Sequence, residues 1–424
     1  MKERKVVTKA LAGQFRRGSK KEKGNVLDEF VAATGYNRSY AAWLLRNHGR
    51  RVEVRPGLLV ESRVMRRPRK ERARIYGHEV FMPLKQVWEI MDFISGKRLK
   101  AALPEVVPRL IALREVKVSK TVERLLVTMS AATIDRMLQP EREKHMLKGR
   151  ARTKPGTLLK HQVPIRTFAD WDEAKPGFLE MDLVAHDGGV GCGEHCFTLD
   201  MTDVATGWSL QRAVMNKAQA HVFTGIKTLR QQLPFPVLGL DSDNGSEFIN
   251  HQLKTYCQDE HITFTRSRPY RKNDTCYVEQ KNWSIVRRHA GYARYQGEGP
   301  CELLNTLYAL LADYVNFFMP SMRLKEKTRD GARVIRRYDT AATPYARVLC
   351  NKDVAPATKR LLRMRYGNLN PAQLKRDIER TQRQLVKNAT RLSAEQAAKM
   401  VREAAQRAAS PSHPWRNHPA VTSA

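Results

Sequence analysis

The feature that most constrains the fold is a change of pattern near residue 165. Before it the chain is strongly basic and apolar at helical spacing. From about residue 178 to 266, short apolar runs broken by Gly and Asp clusters replace that period. Residues 178–185 predict a strand, and Gly188, Gly189, Gly191 and Gly193 a turn. Residues 195–201 predict a second strand, 203–207 a hairpin turn and 208–215 a third strand. A helix over 218–233, a strand over 236–240, a helix over 247–259, a strand over 262–266 and a helix over 274–289 complete the run. The order β-β-β-α-β-α-β-α predicts an α/β unit with a mixed sheet and helices packed on it.

The flanks read as helical. Apolar residues at Val26, Leu27, Phe30 and Val31, then Gly35, then a second helix burying Ala42, Trp43 and Leu45, give a helix-turn-helix outline. Arg38, Ser39 and Tyr40 would open its recognition helix and contact DNA. Residues 50–74 form a basic linker or wing. Residues 81–113 predict helix broken at Pro83, Pro104 and Pro108. Ser130 is a suitable N-cap for a helix that buries Ile134, Met137 and Leu138 and turns Thr133 and Arg136 outward. That outline is a second helix-turn-helix-like unit, with Thr133 and Arg136 as its DNA contacts. Downstream, residues 303–318 predict an apolar helix, 323–337 a basic stretch, and 372–408 one long helix.

Charge narrows the partner. The formal net charge is +33 over 424 residues. Residues 1–170 carry +22, residues 171–291 carry −2 and residues 292–424 carry +13. Two basic arms around a nearly neutral centre point to nucleic acid. No run of 18 apolar residues suggests a membrane span, and residues 1–5 lack the apolar core of a signal peptide. Six scattered cysteines fit a reducing compartment. Cys192, His195 and Cys196 lack a second nearby Cys/His pair, so zinc is not expected. No Gly-rich Lys-Ser/Thr loop indicates ATP use.

Three carboxylates stand out. Asp182 interrupts an apolar strand, where a lone charge needs a partner. Asp243 opens the run Asp243-Asn244-Gly245-Ser246-Glu247-Phe248 at a strand end. Glu279 lies on a later helix, 35 intervening residues after Asp243. Carboxylates converging from two strands and a helix suit Mg²⁺, and two such ions can flank a phosphate. Asp241 shares a strand face with Asp243 and is the competing ligand, although the Asp-Asn-Gly context favours Asp243. Glu180 shares a face with Asp182 but begins the strand, so it is expected to be solvated. Arg266, Arg268, Arg271 and Lys272 precede the Glu279 helix as candidate phosphate contacts. Arg287 lies eight residues past Glu279, at roughly 80° around an ideal helix, and is another candidate.

Asp182, the Asp243–Phe248 run and Glu279 resemble the D, D-x35-E signature of the DDE transposase and integrase superfamily. The segment from Thr265 to Arg288 is also similar to bacterial insertion-sequence transposases with a retroviral-integrase-type core. The resemblance implies an RNase H-like core with a mixed five-stranded sheet, and Asp182, Asp243 and Glu279 as catalytic metal ligands. It implies two Mg²⁺ ions, with Mn²⁺ as a substitute, and DNA 3′-end processing followed by strand transfer. It further implies DNA partners (element ends and target), a homo-multimer on DNA and a cytoplasmic, nucleoid-associated protein. The expected organisation is multidomain. Residues 1–75 are a basic arm and first helix-turn-helix-like module, and 76–140 a second such helical module. Residues 141–165 are a basic linker, and 166–320 the catalytic core. Residues 321–424 are a basic, largely helical region with a disordered tail. The alternatives are a non-catalytic, site-specific DNA-binding descendant and an RNase H-like nuclease.

Overall fold

The computed structural model describes residues 2–55, 58–61, 75–144, 175–242, 245, 247–248, 250–266, 276–330 and 333–409. The chain divides into two compact units, Met1–Ile75 and Tyr76–Ala424. In the first, helices α1 (Lys2–Arg17), α2 (Lys20–Thr34) and α3 (Arg38–Asn47) precede an antiparallel pair, β1 (Arg51–Arg55) and β2 (Leu58–Glu61). The helix boundaries have local causes. Ser19 and Glu22 form a reciprocal capping box that starts α2. Gly35, at φ 66°, ends it in the left-handed region where a side chain would be strained. Asn37 then caps α3 by accepting the Ser39 amide. Ala12, Phe15, Phe30, Ala41 and Leu45 form the core of this unit. Trp43 does not join it, contrary to expectation, and is 45% exposed. Ala41 and Leu45 point inward one turn apart, so the residue midway between them points out.

The second unit begins with α4 (His78–Ile90), α5 (Gly96–Ala112), α6 (Lys120–Thr128) and α7 (Ala131–Lys144). Their buried stripes meet through Leu84, Trp88, Leu103, Leu110, Leu126, Ile134 and Leu138. The prolines do not break the helices, contrary to expectation. Pro83 lies inside α4, and Pro104 and Pro108 lie inside α5. Pro104 and Pro108 are four residues apart on the exposed side of α5, so the carbonyls they deprive of a donor face water. The break falls instead at Asp92 and Phe93, both at positive φ (52° and 58°). This turn is anchored from outside. Arg288 Nε and Lys375 Nζ donate to the Asp92 carboxylate at 2.5 and 2.7 Å.

Strands β3 (Phe178–Ala185), β4 (Phe197–Asp203) and β5 (Ser209–Val214) form an antiparallel meander. After α8 (Gln219–Gln232), β6 (Gly239–Ser242) pairs parallel with β3. After α9 (His251–Asp259), β7 (Thr263–Arg266) pairs parallel with β6. The order is β5-β4-β3-β6-β7, a mixed five-stranded sheet as expected. The second strand starts two residues later than expected. The helix after β6 starts at His251 because Asn250 caps it through the Leu253 amide.

Helix α10 (Cys276–Lys281) runs into a π-helical turn (Asn282–Arg287), then α11 (Arg288–Ala290) and α12 (Glu298–Phe318). Helix α12 protects the edge strand β5. Asn305 bonds both the amide and the carbonyl of Ala213, and Asn316 does the same at Ser209, at 2.8–3.2 Å. Each asparagine imitates a neighbouring strand and closes an edge that would otherwise be open to another chain. Each net bond contributes about 1 kcal/mol, and leaving the buried groups unpaired would cost more.

The basic stretch after residue 323 is a hairpin, β8 (Leu324–Asp330) and β9 (Arg333–Tyr338). Helices α13 (Pro344–Cys350), α14 (Pro356–Asn368), α15 (Pro371–Lys387) and α16 (Ala394–Ala409) complete the elements of the described residues. The long helix expected over 372–408 is therefore two helices. Leu374, Ile378, Thr381 and Leu385 form the buried stripe of α15. That stripe stops at the helix end, where the Thr390 amide bonds the Arg294 carbonyl and ties the chain back to the core. The C-terminal helices also join the N-terminal helices of this unit. Arg109 of α5 donates to the carbonyls of Tyr366, Gly367 and Leu369.

Two buried histidines give this unit a defined acid response. Burial pulls the pKa of His186 from 6.5 down to about 3, with Arg287 and His195 adding to the effect. Burial pulls His289 from 6.5 to about 4, against the opposing pull of Asp92. The unfolded chain binds these protons near pH 6.5 and the native state only below about 4. The stability involved is therefore complete above pH 6.5 and is lost as pH falls from 6.5 toward 4. Each histidine contributes a limiting slope of about 1.4 kcal/mol per pH unit. Urea titrations of wild type and His289→Gln across this window should differ in slope by about that amount, the variant losing less stability as pH falls.

Candidate active site

Strand β3 is the middle strand, so both its edges are paired. Glu180 and Asp182, two residues apart, lie on one face. In the antiparallel ladder Asp182 stands opposite Asp200, and Glu180 opposite Thr202. In the parallel ladder Glu180 stands opposite Asp241, which stands opposite Thr265. The last paired residues of that ladder are Met181 and Ser242, each immediately preceding one of the two expected aspartates. Asp243 itself, with Arg268, Arg271 and Lys272, lies outside the described residues. Asp241 is fully buried and accepts a 2.6 Å bond from Thr265 Oγ1, an interaction within the sheet.

The helix carrying Glu279 lies across this face. Asp182 is half-buried. Its Oδ1 accepts the Leu183 amide at 2.8 Å and its Oδ2 accepts Asn282 Nδ2 at 2.5 Å. Asn282 is one turn beyond Glu279, and Glu279 is exposed. The arrangement thus brings Asp182 against the helix that carries the exposed Glu279. Glu180 departs from expectation. It is fully buried, and its Oε2 accepts the amides of Tyr277 and Val278 at 2.9 and 3.0 Å. The position at the strand start suggested solvent, but a central strand has no solvated face beneath a packed helix.

Arg287 is shifted by the π turn. One extra residue in the turn rotates the downstream side chains by about 100°, bringing Arg287 to within roughly 20° of Glu279 rather than 80°. Its guanidinium donates to the Ala185 carbonyl at 2.9 Å and lies over the Tyr292 ring. Arg266 is 6% exposed at the end of β7. Both were expected as phosphate contacts. Arg266 has almost no surface to offer, and Arg287 is committed in part to the end of β3. Of the other expected DNA contacts, Ser39 and Tyr40 are exposed on α3, and Arg38 there pairs with Asp28. Arg136 is exposed on α7, and the Thr133 hydroxyl meets that of Ser130, which caps the helix.

Beside Asp182 lies a buried polar cluster that the sequence pattern did not single out. Asp200 Oδ1 accepts from Gln211 Nε2 at 3.1 Å and from the Ser209 and Thr202 hydroxyls at 3.4 Å. Burial pushes the Asp200 carboxyl up to about 7, against these hydrogen bonds and nearby Lys281. Burial also pulls the Lys281 amine down to about 8, with Asp200 opposing. Alternating polar residues on β4 and β5 were the available signal, since Asp200, Thr202, Ser209 and Gln211 all fall on the Asp182 face.

The donor set is all oxygen and so fits a hard divalent cation. Among the described residues no group of three or more His, Cys, Asp or Glu side chains is placed to hold a metal. A carboxylate from Asp243 would complete the set of Asp182 and Glu279. Removing the hydrogen-bonding partner of a ligand typically costs ~10–100-fold in metal affinity. Asn282→Ala should weaken Mn²⁺ binding by about that factor, read by titration calorimetry, with a thermal melt to confirm that the variant is folded.

Residues 172–272 match the family model of the integrase core domain. An uncharacterized protein, y4rM, of Sinorhizobium fredii is 37% identical over 350 residues, 82% of this chain and 96% of that one. Among solved structures, the catalytic core domain of BIV integrase is 22% identical. It covers 40% of this chain and 91% of that chain, with a TM-score of 0.27. The HTLV-2 integrase catalytic core domain in complex with magnesium, in a dimeric form, is 14% identical. It covers 34% of this chain and 90% of that chain, with a TM-score of 0.26. The chain belongs to the DDE transposase and integrase superfamily, whose core domain is a polynucleotidyl transferase.

Proposed function

We propose that the protein is a transposase that processes DNA 3′ ends and joins them to a target by transesterification. The observation that carries this reading is the seating of the Glu279 helix on β3 through Asn282 and Asp182, beside a ladder that ends at Ser242. Asp182, Asp243 and Glu279 would hold two Mg²⁺ ions, or Mn²⁺ in their place. Bound there, the metal would supply charge neutralisation at the reacting phosphate and a more acidic attacking hydroxyl. The chain's own part is to fix the carboxylates, exclude water beneath the helix through the buried face of β3, and hold DNA nearby.

DNA holding falls to the basic flanks in this reading. Helices α2–α3 and α6–α7 would act as two helix-turn-helix-like end-binding modules, in residues 1–75 and 76–140. Residues 141–165 would link them to the core of 166–320, and 321–424 would add a basic C-terminal surface. Arg38, Ser39 and Tyr40 would face one end-DNA segment, where Tyr40 stacks on exposed Trp43 at 6.1 Å. Thr133 and Arg136 would face another. Arg268 and Lys272 would add phosphate contacts near the metal site, giving salt-dependent affinity without sequence choice. A homo-multimer on DNA, acting in the cytoplasm at the nucleoid, completes the proposal. Among the described residues no helix is long and apolar enough to cross a membrane.

The test is a strand-transfer assay with a library of candidate end DNAs in Mg²⁺ or Mn²⁺. Wild type should give joined products. Asp182→Asn, Asp243→Asn and Glu279→Gln should each lose more than the ~10–100-fold expected of an outer-shell change, with DNA binding retained. Cleavage without joining would favour the RNase H-like nuclease. Tight binding with neither would favour a non-catalytic DNA-binding protein.

A further inference from the structure

We propose that Glu180 is a positioning residue of the metal centre, fixing the helix that carries Glu279. The proposal rests on the reading of Asp182 and Glu279 as metal ligands. Tyr277 and Val278 are the second and third residues of α10, so their amides are among the four at a helix start that have no intrahelical partner. A carboxylate on β3, 97 positions before Tyr277 and 98 before Val278, accepts both, at 2.9 and 3.0 Å.

That choice has a geometric consequence. Glu180 is fully buried on the central strand, two residues before Asp182 and on the same face. Glu279 comes directly after Val278. Anchoring the amides of 277 and 278 to β3 therefore fixes the backbone of Glu279 relative to Asp182. The second tie, Asn282 to Asp182 at 2.5 Å, holds the same helix one turn later. A carboxylate at a helix N-terminus is also favoured by the helix dipole. Glu180 Oε2 is engaged by both amides.

The test compares full-length wild type with Glu180→Ala, Glu180→Gln and Asp182→Asn. Mn²⁺ affinity is read from the electron-spin resonance of free Mn²⁺, and amide hydrogen exchange is measured at Tyr277 and Val278. Glu180→Ala should exchange faster at those amides while the β4 amides keep their protection, and should bind Mn²⁺ ~10–100-fold more weakly. Glu180→Gln keeps an oxygen that can accept both amides, so it should recover most of the affinity. A Glu180→Ala protein with wild-type Mn²⁺ affinity overturns the proposal. So does a Glu180→Gln protein as weak as Glu180→Ala, since that result would make the charge, and not the acceptor, the requirement. If Glu180→Ala does not fold, Glu180→Leu, which fills the space without offering an acceptor, takes its place in both comparisons. Unchanged Mn²⁺ binding in Asp182→Asn would instead remove the metal-centre reading, and this proposal with it.

Discussion

Carboxylates on the buried face of a central strand must be given partners, and much of the second unit is arranged to supply them. Strand β3 carries Glu180 and Asp182 on one face, with β4 on one side and β6 on the other. Glu180 cannot turn to bulk water without lifting the helix above it, and Asp182 is half-buried against that helix. Glu180 takes the amides of Tyr277 and Val278 at the start of α10, and Asp182 takes Asn282 from the π turn. The helix is seated by the strand's charges, and the strand's charges are tolerated because the helix is seated. A π turn at this point is consistent with its function, because the inserted residue sets which side chains return to the face of Glu279.

The same face holds more polar groups than a stability argument alone would favour. Asp200, Thr202, Ser209 and Gln211 form a hydrogen-bonded cluster under the helix, with Lys281 nearby. Burial works against the charged form of both Asp200 and Lys281, and each partly supports the other. Replacing such a cluster with apolar residues would often be neutral or stabilising. Its place directly across the ladder from Asp182 suits a site kept for chemistry at some cost in stability. The surrounding scaffold is correspondingly well tied. Asn305 and Asn316 close the β5 edge, and Asp92 gathers Arg288 and Lys375, joining the N-terminal helices, the core and α15.

Much of this was legible before the fold was known. The meander, the two crossover strands and the position of Asp182 come from period-two patterning and glycine-marked turns, and the five-stranded sheet has the expected mix of directions. The 35-residue gap points to Asp243 and Glu279 through the superfamily signature it resembles, and Asp243 lies outside the described residues. The illegible parts depend on knowledge of neighbours. Glu180 is recognisable as buried only once β3 is known to lie in the middle of the sheet. The phase of Arg287 requires the π turn, which no periodicity announces. Trp43 suggested a core residue by its type, but Ala41 and Leu45 already occupy the inward face. The hairpin at 324–338 hides under a run of basic residues that interrupts alternation. The split between α15 and α16 becomes evident only where the buried stripe facing α12 ends.

The central claim is that three carboxylates, from two strands and one helix, form a single divalent-metal site. The most direct measurement is a crystal structure of the full chain grown with Mn²⁺, read by anomalous scattering. The account predicts an anomalous peak coordinated by oxygens of Asp182, Asp243 and Glu279, with Glu180 remaining on the amides of Tyr277 and Val278. Mn²⁺ bound elsewhere, with Asp243 turned away from Asp182 and Glu279, would contradict it.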